Sequence, residues 1–282
     1  MEFWYSLVDL LPFAWADEGS MFFMKNALLA ILVISPLFGL LSTMVVQAKM
    51  SFFSDALGHS AFAGIAIGAL CGLAAPTWCA VVLAVVFALL FSLVRHKSNL
   101  ASDTVIGVFS STAVALGIFL STLGGSSFTK FNSLLVGDIL SVSPTQIALL
   151  AVILLAVILL WVFALNHLTL SAIHPALADS RGVNLILVDI LFNCTVAVVV
   201  TLSMTWVGLL MINSLLILPG AMARNISKSM KQYTLFSVLG AVVAGIAGLM
   251  LSYYIGSSTG ASITLVLAFL FLVTFAFRKK RL

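Results

Sequence analysis

Residues 26–47 read NALLAILVISPLFGLLSTMVVQ, twenty-two positions without a charge. A helix of about 20 apolar residues crosses the hydrocarbon core of a bilayer. Eight further runs of this kind follow, at about 53–73, 77–94, 103–123, 145–165, 185–204, 206–223, 233–253 and 260–277. Of the 282 residues, 62% are hydrophobic and 8% charged, where soluble domains carry roughly 25% charge. That composition excludes a soluble globule, a disordered chain, a secreted disulfide scaffold and a nucleic-acid binder. The predicted fold class is all-α, a polytopic transmembrane helical bundle of about nine spans, range eight to ten. The range reflects a weak break near Thr205 and Trp206 and the segment 128–143 (FTKFNSLLVGDILSVS). That segment is too polar to span and reads as an interfacial or partly re-entrant helix. The whole chain, 1–282, reads as one transmembrane domain.

The basic residues predict an orientation. With the N-terminus outside and the C-terminus cytoplasmic, Lys49, Arg95, Lys97, Arg181, Arg224, Lys228, Lys231, Arg278, Lys279, Lys280 and Arg281 fall inside. Only Lys25 and Lys130 fall outside, so the split is 11 against 2, a strong positive-inside bias. An even number of spans breaks this pattern. Segment 1–25 is then external and acidic (Glu2, Asp9, Asp17, Glu18), and it lacks the basic start of a signal peptide. Cys71, Cys79 and Cys194 match no metal-binding spacing and read as small buried hydrophobes. The scattered methionines read as packing.

An ionisable group inside a span is expensive and usually functional. Asp55 and His59 stand four apart at the start of the second span, hence on one helix face. A carboxylate and an imidazole suit borderline divalent cations such as Zn²⁺, Mn²⁺ or Fe²⁺. Two ligands are too few for a closed site, and two copies across a two-fold axis give four. The alternative from spacing alone is a helix-start Asp beside a His satisfied by a carbonyl. Ala56, Ser60, Gly64, Gly68 and Gly72 recur every four residues as a small-residue packing stripe. The stripe lies about 100° around the helix from the Asp55 and His59 face.

Other polar positions say less. Asp189 reads as a solvated residue near the start of the sixth span. Asn213 reads as an interhelical hydrogen-bond group, Asp103 as a helix-start charge, and Asp138 as water-facing. The polar stretch His167–Asn184 is a predicted cytoplasmic segment, with a short helix begun by Pro175 and ended by Gly182. Such a helix is what a membrane protein offers a soluble partner; an ordinary connecting loop is the alternative. The chain has no G-x-x-x-x-G-K-[ST], H-E-x-x-H or G-x-S-x-G motif, so any ATP is handled by another polypeptide. It is not expected to be an enzyme.

At these residues the chain resembles the membrane permease of bacterial zinc/manganese/iron ABC importers, over nearly its whole length after about residue 25. The most specific match is residues 45–68, VVQAKMSFFSDALGHSAFAGIAIG. Further matches are residues 103–110 (DTVIGVFS), 135–143 (LVGDILSVS), 216–223 (LILPGAMA) and 258–263 (STGASI). The resemblance implies a homodimer in the bacterial plasma (inner) membrane. It implies two cytoplasmic ABC ATPase subunits and an extracytoplasmic metal-binding protein as partners, with no permanently bound cofactor. It implies that Asp55 and His59 line the path of a transported Zn²⁺ or Mn²⁺. It also implies that residues 175–183 (PALADSRGV) form the ATPase-coupling helix, with Pro175, Ala178, Arg181 and Gly182. His174 is a departure, since the family commonly has Asp before that proline. The rival classes are a proton-coupled secondary transporter or channel using the same Asp and His, and a permease for metal chelates.

Overall fold

The computed structural model describes Val8 and residues 21–73, 76–98, 100–123, 139–173 and 175–278. Among them there is no strand. The helices are α1 (Phe22–Gln47), α2 (Phe53–Leu70), α3 (Pro76–Lys97), α4 (Ser102–Leu123), α5 (Pro144–Ile173), α6 (Pro175–Ser180), α7 (Leu185–Val207), α8 (Leu209–Ile226), α9 (Met230–Ile255) and α10 (Thr259–Ala276). Nine of these are long and apolar enough to cross a membrane; the short α6 is the exception.

Local chemistry sets several ends. The Asn184 side chain caps α7 by accepting from Leu187 N at 3.1 Å, and Ser229 caps α9 by accepting from Gln232 N at 3.4 Å. Gly256 closes α9 with φ 70°. The weak break expected at Thr205 and Trp206 is corrected to Gly208, which separates α7 from α8 with φ 94° and ψ 148°. Only glycine adopts that backbone readily, so the break follows the glycine rather than the hydropathy dip. The polar segment begins later than expected, because α5 continues through His167 to Ile173. Of the segment 128–143, residues 128–138 lie outside the described residues, as does Asp138. Its end forms one turn of 3₁₀-helix, Ile139–Ser141.

In lipid, apolar burial gives little drive to helix association, and close packing with polar cross-links replaces it. The inner helices are α1, α2 and α8, with 67%, 61% and 56% of their spanning windows buried, against 28%, 22% and 28% for α4, α5 and α10. Ser237 Oγ donates to Gly39 O at 2.7 Å and Tyr233 OH donates to Thr43 O at 3.2 Å, fixing α9 on α1. Pro219 interrupts the hydrogen bonding of α8, and the next amide, Gly220 N, donates to Ser42 Oγ on α1 at 2.8 Å. On α2, a Cβ at Gly64 would lie 2.5 Å from Ala80 Cα, and one at Gly68 would lie 2.8 Å from Pro76 Cα. Ser60 is buried on the same helix. Gly72 does not join this packing: it lies past the helix end at φ 66° with nothing near its Cβ direction.

The ends of α1, α3, α8 and α10 and the starts of α7 and α9 gather at one end of the bundle. Gln47 meets Met230, Arg95 meets both Ala48 and Asp189, and Asn225 meets Thr274. Lys49, Arg95, Lys97, Arg224, Lys228, Lys231 and Arg278 therefore share that end. The cysteines depart from expectation. Cys71 is exposed and Cys79 and Cys194 are half-buried, so none is enclosed in the core. Cys71 falls on the C-cap of α2, beyond its packed face.

Candidate metal site

Asp55 occupies the first turn of α2 and His59 the next. Their side chains meet, with His59 Nε2 3.4 Å from Asp55 Oδ2, and keep 20% (His59) and 45% (Asp55) of their surface open. A third residue joins them from across the bundle. Asn213 Nδ2 on α8 donates to Asp55 Oδ1 at 3.2 Å, while the buried Asn213 Oδ1 has no hydrogen-bond partner. The amide thus holds the carboxylate and keeps an oxygen acceptor beside it.

Gly58 packs beside this meeting. A Cβ there would sit 2.5 Å from Leu209 Cδ1, and Leu209 lies one turn before Asn213 on α8. The Leu209 side chain thus packs over Gly58, next to the hydrogen bond that links Asn213 to Asp55. Asn213 is the interhelical hydrogen-bond group the sequence suggested, and its place within the site is new.

Among the described residues, no group of three or more His, Cys, Asp and Glu side chains comes together. One chain therefore brings a carboxylate and an imidazole together, with a buried amide hydrogen-bonded to the carboxylate.

Asp189 is not simply solvated. Only 18% of its side chain is exposed, and it sits 3.1 Å from Arg95 Nη1 and 3.4 Å from His96 Nε2. Asp103 lies in the first turn of α4, where a negative charge complements the helix dipole. The predicted short helix is α6, begun by Pro175. Ala178 is fully buried, while Arg181 and Gly182 are exposed in the turn that follows, with Gly182 at φ 73°. His174 lies outside the described residues.

The described residues thus form a bundle of nine candidate membrane spans with an Asp–His pair on an inner helix. The chain belongs to the ABC 3 transport family, whose model matches residues 20–278. It is 28% identical over 256 residues to the high-affinity zinc uptake system membrane protein ZnuB of Haemophilus influenzae, covering 91% of this chain and 97% of that one. It is 29% identical over 259 residues to the manganese import system permease protein ScaB of Streptococcus gordonii, covering 92% of each. The fold matches PsaBC from Streptococcus pneumoniae, solved in complex with Fab, with TM-score 0.76 and 27% identity over 98% of this chain and 95% of that one. The chain is accordingly a multi-pass membrane permease of the metal-transporting ABC class, and its named relatives are transport components of uptake systems.

Proposed function

We propose that this chain forms, as a homodimer in the bacterial plasma membrane, the translocation path of an ATP-driven importer for a divalent transition metal ion, Zn²⁺ or Mn²⁺. The observation that carries this reading is the Asp55–His59 pair, held half-open by Asn213 on an inner helix. Two copies supply two carboxylates, two imidazoles and two amide oxygens, enough to hold an ion without thiolates. Such a set binds borderline cations and lets them go.

The ion is delivered from outside by a metal-binding protein and meets this site. Separate cytoplasmic ATPase subunits dock on α6 and its turn, and ATP-driven movement of that end switches access from outside to inside. The basic end of the bundle is cytoplasmic on this reading, by the positive-inside rule. The donor set does not choose the metal. Zn²⁺ outcompetes Mn²⁺ at a given site, so selection rests on the delivery protein and on metal availability. Acid weakens loading, because an imidazole must be neutral to coordinate.

Asp55→Ala and His59→Ala should each abolish uptake of radioactive Zn²⁺ or Mn²⁺ at limiting metal, while membrane insertion and association with the ATPase persist. Normal uptake by both would sink the site. Metal uptake by the purified chain in liposomes without any ATPase would favour a secondary transporter.

A further inference from the structure

We propose that Arg95 and Asp189 form a clasp that positions the metal-binding helix α2 and transmits movement of α6 to it. This inference rests on the function proposed above and assigns it two positioning residues outside the metal site.

The clasp joins three segments that are distant in sequence. Arg95, in the last turn of α3, places Nη1 3.1 Å from Asp189 Oδ1 on α7. The same guanidinium reaches the turn between α1 and α2, with Nη1 2.9 Å from Met50 Sδ and Nη2 donating to Ala48 O at 3.3 Å. Asp189 is held from its other oxygen as well. His96 Nε2 lies 3.4 Å from Oδ2, and Asn193 Nδ2 donates to Oδ2 at 3.2 Å. Asn193 Nδ2 also approaches Ser92 Oγ at 2.7 Å, returning the network to α3. A planar guanidinium suits this multi-point attachment better than an ammonium.

Each side of the clasp leads to a functional element. On the α7 side, Asp189 lies one turn beyond the capped start of the helix. Between α6 and that start the chain is closed by Arg181 N→Ala178 O at 3.1 Å, Gly182 N→Asp179 O at 2.9 Å and Val183 N→Ala178 O at 3.1 Å. With Ala178 buried, a shift of α6 pulls on the first turns of α7. On the other side, Lys49 between Ala48 and Met50 has φ 55°, the one positive value at a non-glycine among the described residues. A lysine in this left-handed region needs surrounding contacts to hold it, and Arg95 supplies two of them. Met50 N→Val45 O at 3.0 Å and Phe53 N→Met50 O at 3.0 Å carry the turn directly into α2. Phe53 packs against Phe91, with ring centroids 4.8 Å apart and the planes tilted by 34°, one helical turn before Arg95 on α3. Asp55 follows two residues later.

A cavity of about 350 Å³ opens beside the clasp, lined by Gln47, Lys49, Arg95, His96, Ser102 and Asp189 among others. It gives these helix ends space to move. Its charge argues against a second station for the cation, because Lys49 and Arg95 face a single carboxylate there.

The test uses the complete importer in liposomes, with Asp189→Asn, Arg95→Gln and the exchange of Arg95→Asp with Asp189→Arg. The ratio of metal ions imported to ATP hydrolysed should fall at least tenfold in each single variant, with ATP hydrolysis and thermal stability kept within twofold and 5 °C. The exchange should recover a good part of the ratio. Unchanged ratios in the single variants overturn the clasp, as does a loss of transport that only follows unfolding. A wild-type complex that imports no metal would instead refute the transport function. Hydrogen–deuterium exchange on the full chain alone tests the clasp in that event. Amides of 48–55 should exchange at least fivefold faster in Arg95→Gln, and an unchanged rate overturns the proposal.

Discussion

Asn213 keeps one amide oxygen free beside Asp55 while its nitrogen holds the carboxylate. Supporting groups of this kind typically change metal affinity 10–100-fold. Asn213→Ala should weaken Zn²⁺ binding by about tenfold, with no change in folded yield, measured by titration calorimetry of the purified permease. Asn213→Asp should retain binding, because it keeps an oxygen beside Asp55 and adds a negative charge for the cation, although it no longer donates to Asp55. Equal affinity for wild type and Asn213→Ala would remove this residue from the site. Asp55 and His59 were visible in the sequence because their neighbourhood is one helical turn. Asn213 was recognisable as a polar residue in a span, but its partner lies 158 residues away. Asp189 misled for the same reason: its partner Arg95 is 94 residues distant, and a position near a helix start looks solvated until the neighbouring helix is in place.

Glycine does two different things along these helices. At Gly64 the obstacle to a side chain is the Ala80 backbone, whereas at Gly107 on α4 nothing lies within 4 Å. Alanine is the better helix former by about 1 kcal/mol. Gly107→Ala should therefore leave the melting temperature in detergent unchanged or raised. Gly64→Ala should lower it, because overpacking against a fixed backbone costs about 1–3 kcal/mol. The reverse order would mean that α2 and α3 do not set the stability of the bundle. Helix existence was legible from the length of the apolar runs. Helix ends were less so, since α5 continues as a helix beyond its apolar stretch and Gly208 breaks the chain inside a continuous apolar one. The packing stripe was legible through Gly68 and not at Gly72, where the helix has already ended.

The charges of the whole molecule are sparse, and the fold collects seven of the basic ones at one end. On the proposed function the metal site is completed by a second copy, which makes stoichiometry diagnostic. Equilibrium dialysis of the purified permease should give about one Zn²⁺ per two chains, as expected when four-coordinate binding takes two ligands from each. One ion per chain would mean that each copy completes its own site. His59→Gln should leave only weak residual binding in the same dialysis.

Cys71 and the bare turn around Gly72 give the protein a built-in reporter of its own sidedness. The other two described thiols are partly shielded within helices, so a charged maleimide that cannot enter the bilayer should react chiefly at Cys71. Because α2 runs away from the basic end, this thiol faces the opposite compartment. With the basic end cytoplasmic, as proposed, intact cells should be labelled from the medium, and Cys71→Ser should erase the signal. Labelling that waits for permeabilisation would turn the whole bundle upside down.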